Sequence, residues 1–176
     1  MKIQIKNTIK LTFLILATIS ILSCSKKDDE PIPVIQAPIA NFEGIKWSIS
    51  NDSKVGKNTR ADRVINDPRY TEAGFIYIKT QADDNSKLKI IIPKSQTVVG
   101  TYPLTFLVAS PVSTIVEYES ATQKNYKIES GFVKITEISD GRIKGTFTFK
   151  AVYVLDFNDK IEVTNGVFNL VVETIA

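Results

Sequence analysis

The side chains able to do covalent or acid–base chemistry in this chain are few, and the missing types narrow the field first. There is no histidine and a single cysteine, Cys24. Ser-His-Asp triads, Cys-His dyads and histidine-bearing zinc sites therefore cannot be assembled. No phosphate-cradling glycine loop or dinucleotide fingerprint occurs, since Gly141 and Gly145 fall within a hairpin and a strand pattern. A carboxylate-pair hydrolase needs only two acids, and Glu117, Glu119, Glu129, Glu137 and Glu162 are available for one. The same residues read as solvated acids on strand faces, the usual place for a carboxylate. Asp83-Asp84-Asn85 and Asp156-Phe157-Asn158-Asp159 gather oxygens of the kind calcium takes, but without EF-hand spacing or its closing glutamate. Asp and Asn serve turns equally well, because their side chains bond nearby backbone. The sequence thus assigns no catalytic residue, no metal ligand and no cofactor.

Cys24 has a different use. It closes the segment Ile21-Leu22-Ser23-Cys24, directly after an apolar run from Leu11 to Leu22 that is preceded by Lys2, Lys6 and Lys10. Charged residues followed by a short apolar run form the layout of a secretory signal. The run falls short of the roughly twenty apolar residues that a spanning helix needs, so it reads as a removable leader over residues 1–23. Its ending, Leu22-Ser23-Cys24, resembles the lipobox of bacterial lipoproteins, and that resemblance implies that Cys24 carries palmitate-type acyl chains. Two or more such chains, each contributing about 0.8 kcal/mol per buried methylene, hold a protein stably on a membrane without any spanning segment.

Residues 24–39 read as a tether. Ser25-Lys26-Lys27-Asp28-Asp29-Glu30 is charged, and Pro31, Pro33 and Pro38 favour extended backbone. The Lys-Asp-Asp-Glu run resembles the signal that exports Bacteroidetes-type lipoproteins to the cell surface, although a solvated linker carries the same charges. Ser25, rather than aspartate, after the cysteine fits sorting to the outer membrane in lipoproteins of that kind. The expected location is the outer membrane, lipid-anchored, at the cell surface, with its periplasmic face as the alternative. Loss of the leader takes three lysines and no acid, which brings the 22 basic residues of the chain level with its 19 acidic ones. No basic cluster remains to hold nucleic acid. The partners expected are therefore the membrane, through the lipid, and a ligand or envelope protein.

Residues 40–176 read as one all-β domain. Alternation is clearest from Ile143 to Tyr153, where odd positions are apolar or small and even positions largely polar. Further strands are expected at Ile45–Ser50, Phe75–Thr80, Leu88–Pro93, Ser113–Tyr118, Lys124–Ile128, Gly131–Ile138, Ile161–Thr164 and Val167–Glu173, rich in β-branched and aromatic residues. Asp140-Gly141 supplies the left-handed conformations of a tight hairpin. The apolar set changes parity across Gly131 and again across Gly166, which predicts bulges, with a hairpin at Asn165-Gly166 as the alternative. The expected fold is an antiparallel β-sandwich or partly open β-barrel of about eight or nine strands with mostly meander connections, and a closed ligand-holding barrel is the runner-up. One mature domain without a second cysteine has no intramolecular disulfide.

Phe42-Glu43-Gly44-Ile45-Lys46-Trp47, Gly100-Thr101-Tyr102-Pro103-Leu104, Gly131-Phe132-Val133-Lys134-Ile135, Gly145-Thr146-Phe147-Thr148-Phe149 and Thr164-Asn165-Gly166-Val167-Phe168 resemble segments of a group of uncharacterised Bacteroidetes-type lipoproteins. The resemblance covers about Phe42 to Val172 and implies an all-β domain with no catalytic residues to transfer. Among the aromatics, Trp47, Tyr77 and Tyr153 fit a core, while Tyr102, Tyr118 and Tyr126 are open to core or recognition roles. Tyr70 lies in the polar stretch Asn51 to Glu72, which shows no strand pattern and carries Arg63 and Arg69. Long connections of this kind tend to carry function, so Tyr70, Arg63 and Arg69 are the sequence's candidates for ligand contact. Three functions remain: a non-enzymatic lipoprotein binding a glycan, small apolar ligand or protein; a structural component of the envelope; and, last, a carboxylate hydrolase.

Overall fold

The structure is a computed structural model that describes residues 42–64, 74–105 and 113–175. Residues 1–23, the tether with Cys24, and the candidates Arg69 and Tyr70 lie outside the described residues. Nine strands are described: β1 (Gly44–Ile49), β2 (Asp52–Val64), β3 (Phe75–Ala82), β4 (Lys87–Ile92), β5 (Gly100–Thr105), β6 (Ile115–Glu119), β7 (Asn125–Ser139), β8 (Arg142–Tyr153) and β9 (Asp156–Ile175). A single 3-10 turn, Lys94–Gln96, separates β4 from β5.

The strands form one sheet that curls on itself. Its order is β5-β7-β6-β4-β3-β2-β1-β9-β8, and β8 pairs with β7 along its length, so the ring closes as an eight-stranded barrel with β5 as an extra strand on β7. The fold is thus the partly open barrel of the two expected architectures. Pairing is antiparallel except where β9 outruns β1 and runs parallel to the end of β2, from Ala61–Val172 to Val64–Ile175. β1 to β4 and β7 to β9 are meanders of neighbours, as short turns dictate.

Alternation decides which side is core. In β8, Ile143, Phe147, Phe149 and Ala151 are buried and face inward. An eight-stranded barrel is just wide enough for side chains to fill, and here Trp47, Phe147, Phe149 and Phe168 fill it. Phe147 lies against Phe149 and Phe168, with centroids 6.4 and 6.5 Å apart. Each such ring contributes on the order of 2 kcal/mol by burial. Outside, charges pair across strands, as in Lys144–Glu137, Lys160–Glu129 and Lys150–Glu162. All strands and core residues named here fall within the compact unit Pro38–Ala176.

Both parity breaks are irregularities within continuous strands. The β7–β8 register shifts between Ile128 and Ser130, just before Gly131, and the β8–β9 register shifts between Phe147 and Phe149, opposite Gly166 and Val163. Asn165-Gly166 is therefore a bulge inside β9, with Asn165 at φ 52°, and no hairpin turn. The Asp140-Gly141 hairpin forms as expected, with φ values of 50° and 71°.

Three readings need correction. The first half of the stretch Asn51 to Glu72 is β2, and Arg63 is an exposed strand residue in register with Ile76, not a loop residue. Its inward positions hid the alternation because they are small: a Cβ on Gly56 would stand 2.0 Å from Thr80 Oγ1 and 2.5 Å from Ile45. Asp156–Asp159 likewise opens β9, and the turn before it is made of Val154 and Leu155 rather than polar residues. β5, which contains Pro103, was missing from the expected strands; proline is tolerated there because β5 pairs only with β7 among the described strands.

Gly131 has φ 145°, and a Cβ there would lie 2.2 Å from the Thr148 carbonyl oxygen, whereas Gly141 has φ 71° and open space around it. Gly131→Ala should therefore destabilise the domain by on the order of 3 kcal/mol, and Gly141→Ala by about 1 kcal/mol. Urea denaturation of both variants checks the difference; equal losses would contradict the close approach at Gly131.

Candidate functional site

The barrel wall is thinnest between β6 and β7. These strands are joined through the pairs Tyr118–Tyr126 and Glu119–Asn125, while the rest of that edge of β7 is taken by β5 from Ser130 to Ile135. Between β6 and the β5–β7 pair the wall opens into a cleft of about 1040 Å³. Leu88, Leu104, Val116 and Ile128 give it apolar walls, and Tyr118 and Tyr126 stand at its closed end. Concave, mostly apolar spaces with a few polar groups are the usual form of small-molecule sites.

Register explains the tyrosines. Thr80, Leu88, Tyr118, Tyr126 and Tyr153 are successive partners across β3, β4, β6, β7 and β8, so they form one inward row around the barrel. Tyr118–Tyr126 and Tyr126–Tyr153 centroids are each 5.9 Å apart in tilted geometry, and Tyr118 continues onto Phe149 at 6.3 Å. Aromatic cross-strand pairs of this kind stabilise a sheet beyond the area they bury.

Two polar clusters tie this row to the barrel end that carries the turns Ser50-Asn51, Asp83–Ser86 and Val154-Leu155. Tyr126 donates its hydroxyl to Asp159 Oδ1 at 2.9 Å, and Lys124 Nζ donates to Asp159 Oδ2 at 2.5 Å while standing 5.1 Å over the Tyr153 ring. Hydrogen bonds from Lys124 and Tyr126 hold the Asp159 carboxyl below its ordinary range, and the Asp159 bond lifts Lys124. Burial, then the bond to Asp159, pushes Tyr126 up to about 12. In the second cluster, Lys54 bridges Asp52 at 2.6 Å and Asp84 at 2.7 Å, and Asp84 accepts from the Ser86 amide and hydroxyl. Bonds to Asp52 and Asp84 raise Lys54 above the ordinary lysine range. Burial alone would raise Asp84, but the bonds from Lys54 and Ser86 outweigh it and hold the carboxyl at about 2.

Of the five proposed acids, two border the cleft and three lie elsewhere. Glu117 and Glu119 border the cleft, and Lys89 and Lys87 bind them at 2.9 and 2.8 Å; Glu129, Glu137 and Glu162 each meet a lysine elsewhere on the exterior. The oxygens of Asp83-Asp84-Asn85 are likewise engaged, by Lys57, by Lys54 and Ser86, and by Gln81. Among the described residues, no three acids group as metal ligands would. Trp47 lies in the core, and Tyr77 is buried on the outer face of β3 with Phe75 and Ile91. Arg63 does not border the cleft. The cleft itself escaped sequence reasoning because its walls come from five strands whose closure depends on register; the parity of Leu88, Val116, Tyr118 and Ile128 was the one available signal.

No helix among the described residues is long and apolar enough to cross a membrane. The outside of the barrel carries ion pairs such as Lys144–Glu137, Lys150–Glu162 and Lys160–Glu129, where a transmembrane barrel presents an apolar band. The fold and cleft define a water-facing antiparallel barrel with an apolar opening in its wall. Within that class, the chain belongs to the family described as a domain of unknown function (DUF6252), which matches residues 60–172, well over half of the chain and all of β3 to β8. No curated protein and no solved structure matches it.

Asp84 sits below its ordinary value of 3.8 in the fold, so its stabilising effect is complete above about pH 4 and is lost as pH falls toward 2. Asp84→Asn should lower the melting temperature at neutral pH and make the loss of stability between pH 4 and 2 shallower than in the unmodified domain. Thermal melts across that window test this, and parallel curves would contradict the Lys54–Asp84 assignment.

Proposed function

We propose that this protein is a lipid-anchored envelope protein, held in the outer membrane through Cys24 and facing the cell exterior, whose barrel binds a small apolar ligand without transforming it. The observation that carries the binding reading is the cleft, where apolar side chains and two tyrosines line a break in an otherwise continuous wall. Anchoring is supported by the Leu22-Ser23-Cys24 ending of the leader, and membership of a Bacteroidetes-type lipoprotein group by the charged run that follows. A water-facing exterior agrees with a domain carried on a lipid rather than inserted.

The entry of the chain into the barrel is consistent with a tether. Asn169 Nδ2 donates to the Phe42 carbonyl at 2.7 Å, Arg142 donates to Asn169 Oδ1 at 3.0 Å, and Lys46 lies 5.0 Å over the Phe42 ring. Phe42 is thus fixed to one end of the barrel. The tip of the β8–β9 hairpin, at the opposite end, exposes Leu155 at 80% and Phe157 at 65%. This exposed pair is what favours the second reading, an assembly component that docks on another envelope protein.

Cys24→Ala in the full chain should abolish acyl mass and release the protein from membranes; retention of both would overturn the anchor. Protease shaving of intact cells should release the domain, and protection of a domain shown to be cleavable when purified would place it on the periplasmic side. For the ligand, the purified Pro38–Ala176 domain should bind dodecanol saturably, and Val116→Trp and Leu104→Trp, on two different walls of the cleft, should each weaken binding at least about tenfold while retaining the β-sheet circular dichroism spectrum. Unchanged affinity in both folded variants would contradict the cleft as the site.

A further inference from the structure

β6 has one edge paired along its length and one that is not. It keeps register with β4 from Ile115 to Glu119, but with β7 only at Tyr118 and Glu119. Along Ile115, Val116 and Glu117 the edge turned away from β4 therefore has no strand partner among the described residues, and these three residues border the cleft. An unpaired edge presents backbone N–H and C=O groups to any extended chain that can reach it, and proteins commonly blunt such edges with proline, a bulge or charges. β5, whose outer edge is likewise without a described partner, carries Pro103. β6 has neither proline nor register shift, and its two carboxylates, Glu117 and Glu119, are tied to Lys89 and Lys87 of β4.

The same three residues offer both faces of the wall. Val116 is buried and turned inward, into the core cluster that holds Leu104 and Ile128. Glu117 is turned outward, with its side chain 57% exposed. A chain lying in the plane of the wall beside β6 sends alternate side chains to each face. Its inward side chains meet the apolar wall of the cleft and its outward ones pass Glu117, so nothing has to cross the hydrogen-bonded sheet to touch both. A basic side chain in the outward position becomes the cross-strand neighbour of the exposed Glu117 carboxylate, and opposite charges so placed are favourable. Pairing of main chain to a free edge, with alternate side chains held in an apolar recess, is a recurrent mode of peptide recognition.

We propose that the cleft is also a docking site for an extended peptide, which adds as a strand to the Ile115–Glu117 edge of β6 with apolar residues inward at alternate positions and a basic residue outward beside Glu117. This rests on the reading of the cleft as a binding site and adds a second class of ligand to it. Backbone pairing separates the peptide from dodecanol, which shares only the apolar wall.

The test is calorimetric titration of the mature chain, residues 24–176 with Cys24→Ala so that no acyl chain enters the cleft, with the capped pentapeptide Thr-Val-Lys-Val-Thr. Binding should be saturable and should slow amide exchange at Ile115–Glu117. Residues with inward side chains direct their N–H groups to one neighbouring strand and those with outward side chains to the other. The peptide is therefore also made N-methylated at both valines and, separately, at the lysine and both threonines. At least one of these forms should bind about tenfold more weakly or worse, the loss expected when backbone hydrogen bonds are removed. The analogue with glutamate in place of lysine should bind more weakly than the lysine peptide, and Glu117→Gln should remove that difference while leaving the effect of methylation. Undiminished binding of both methylated forms, equal binding of the lysine and glutamate peptides, or unchanged exchange at Ile115–Glu117 would each overturn the proposal. Failure of the peptide to bind a chain that binds dodecanol would overturn the strand site and leave the apolar cleft intact, and failure of both probes would overturn both readings.

Discussion

The tilted contact of Tyr118 with Tyr126 closes the barrel, and the rest of the structure depends on that closure. Where β8 and β9 or β7 and β8 run together over most of their lengths, β6 touches β7 through the register pairs Tyr118–Tyr126 and Glu119–Asn125. So short a ladder supplies little backbone hydrogen bonding. The seam gains its remaining strength from side chains: the tyrosine row with centroid spacings of 5.9 Å, and the Asp159 carboxylate that receives both the Tyr126 hydroxyl and the Lys124 ammonium. Because Asp159 belongs to β9 and Lys124 to the turn before β7, the seam is fastened from two sides of the barrel.

A seam confined to one end leaves the wall open at the other. β7 continues past the reach of β6, and β5 takes over its free edge from Ser130 onward, so the sheet divides around the cleft instead of running through it. The cleft is thus a product of topology: β5 intervenes in the sequence between β4 and β6 but is displaced from them in space. Its walls inherit inward-facing residues from β4, β6 and β7, which alternation makes apolar, and outward-facing ones from β3 and β4, which alternation makes basic. Among the described residues, the sheet pattern alone gives the opening an oily inside and charged surroundings.

Strand-rich character, the Ile143–Tyr153 alternation, the Asp140-Gly141 hairpin and the two bulges near glycines were legible in the sequence, because each is local and follows from period-two burial or from left-handed turn residues. β2 was not. Gly56, Thr59 and Ala61 face a space already taken by Ile45 and Thr80, so the inward positions of that strand are small or polar and the alternation vanishes. Asp156–Asp159 misled for the opposite reason: its polar residues build a seam rather than a turn. Closure, and with it the choice of barrel over sandwich, depends on which strands pair at long range, and one sequence carries no such signal. The pairing of the candidate glutamates with lysines was hidden for the same reason, since Glu117 and Lys89 are neighbours only through the β4–β6 register.

Amide hydrogen exchange of the purified Pro38–Ala176 domain, with and without saturating dodecanol, tests most directly the claim that the opening beside the Tyr118–Tyr126 seam is the binding site. The account predicts slowed exchange confined to Lys79–Thr80, Lys87–Lys89, Leu104–Thr105, Ser113–Glu119 and Asn125–Ile128, the segments that border the cleft and close its end. Protection centred instead on the exposed Leu155–Phe157 tip, or no change at the seam, would contradict it.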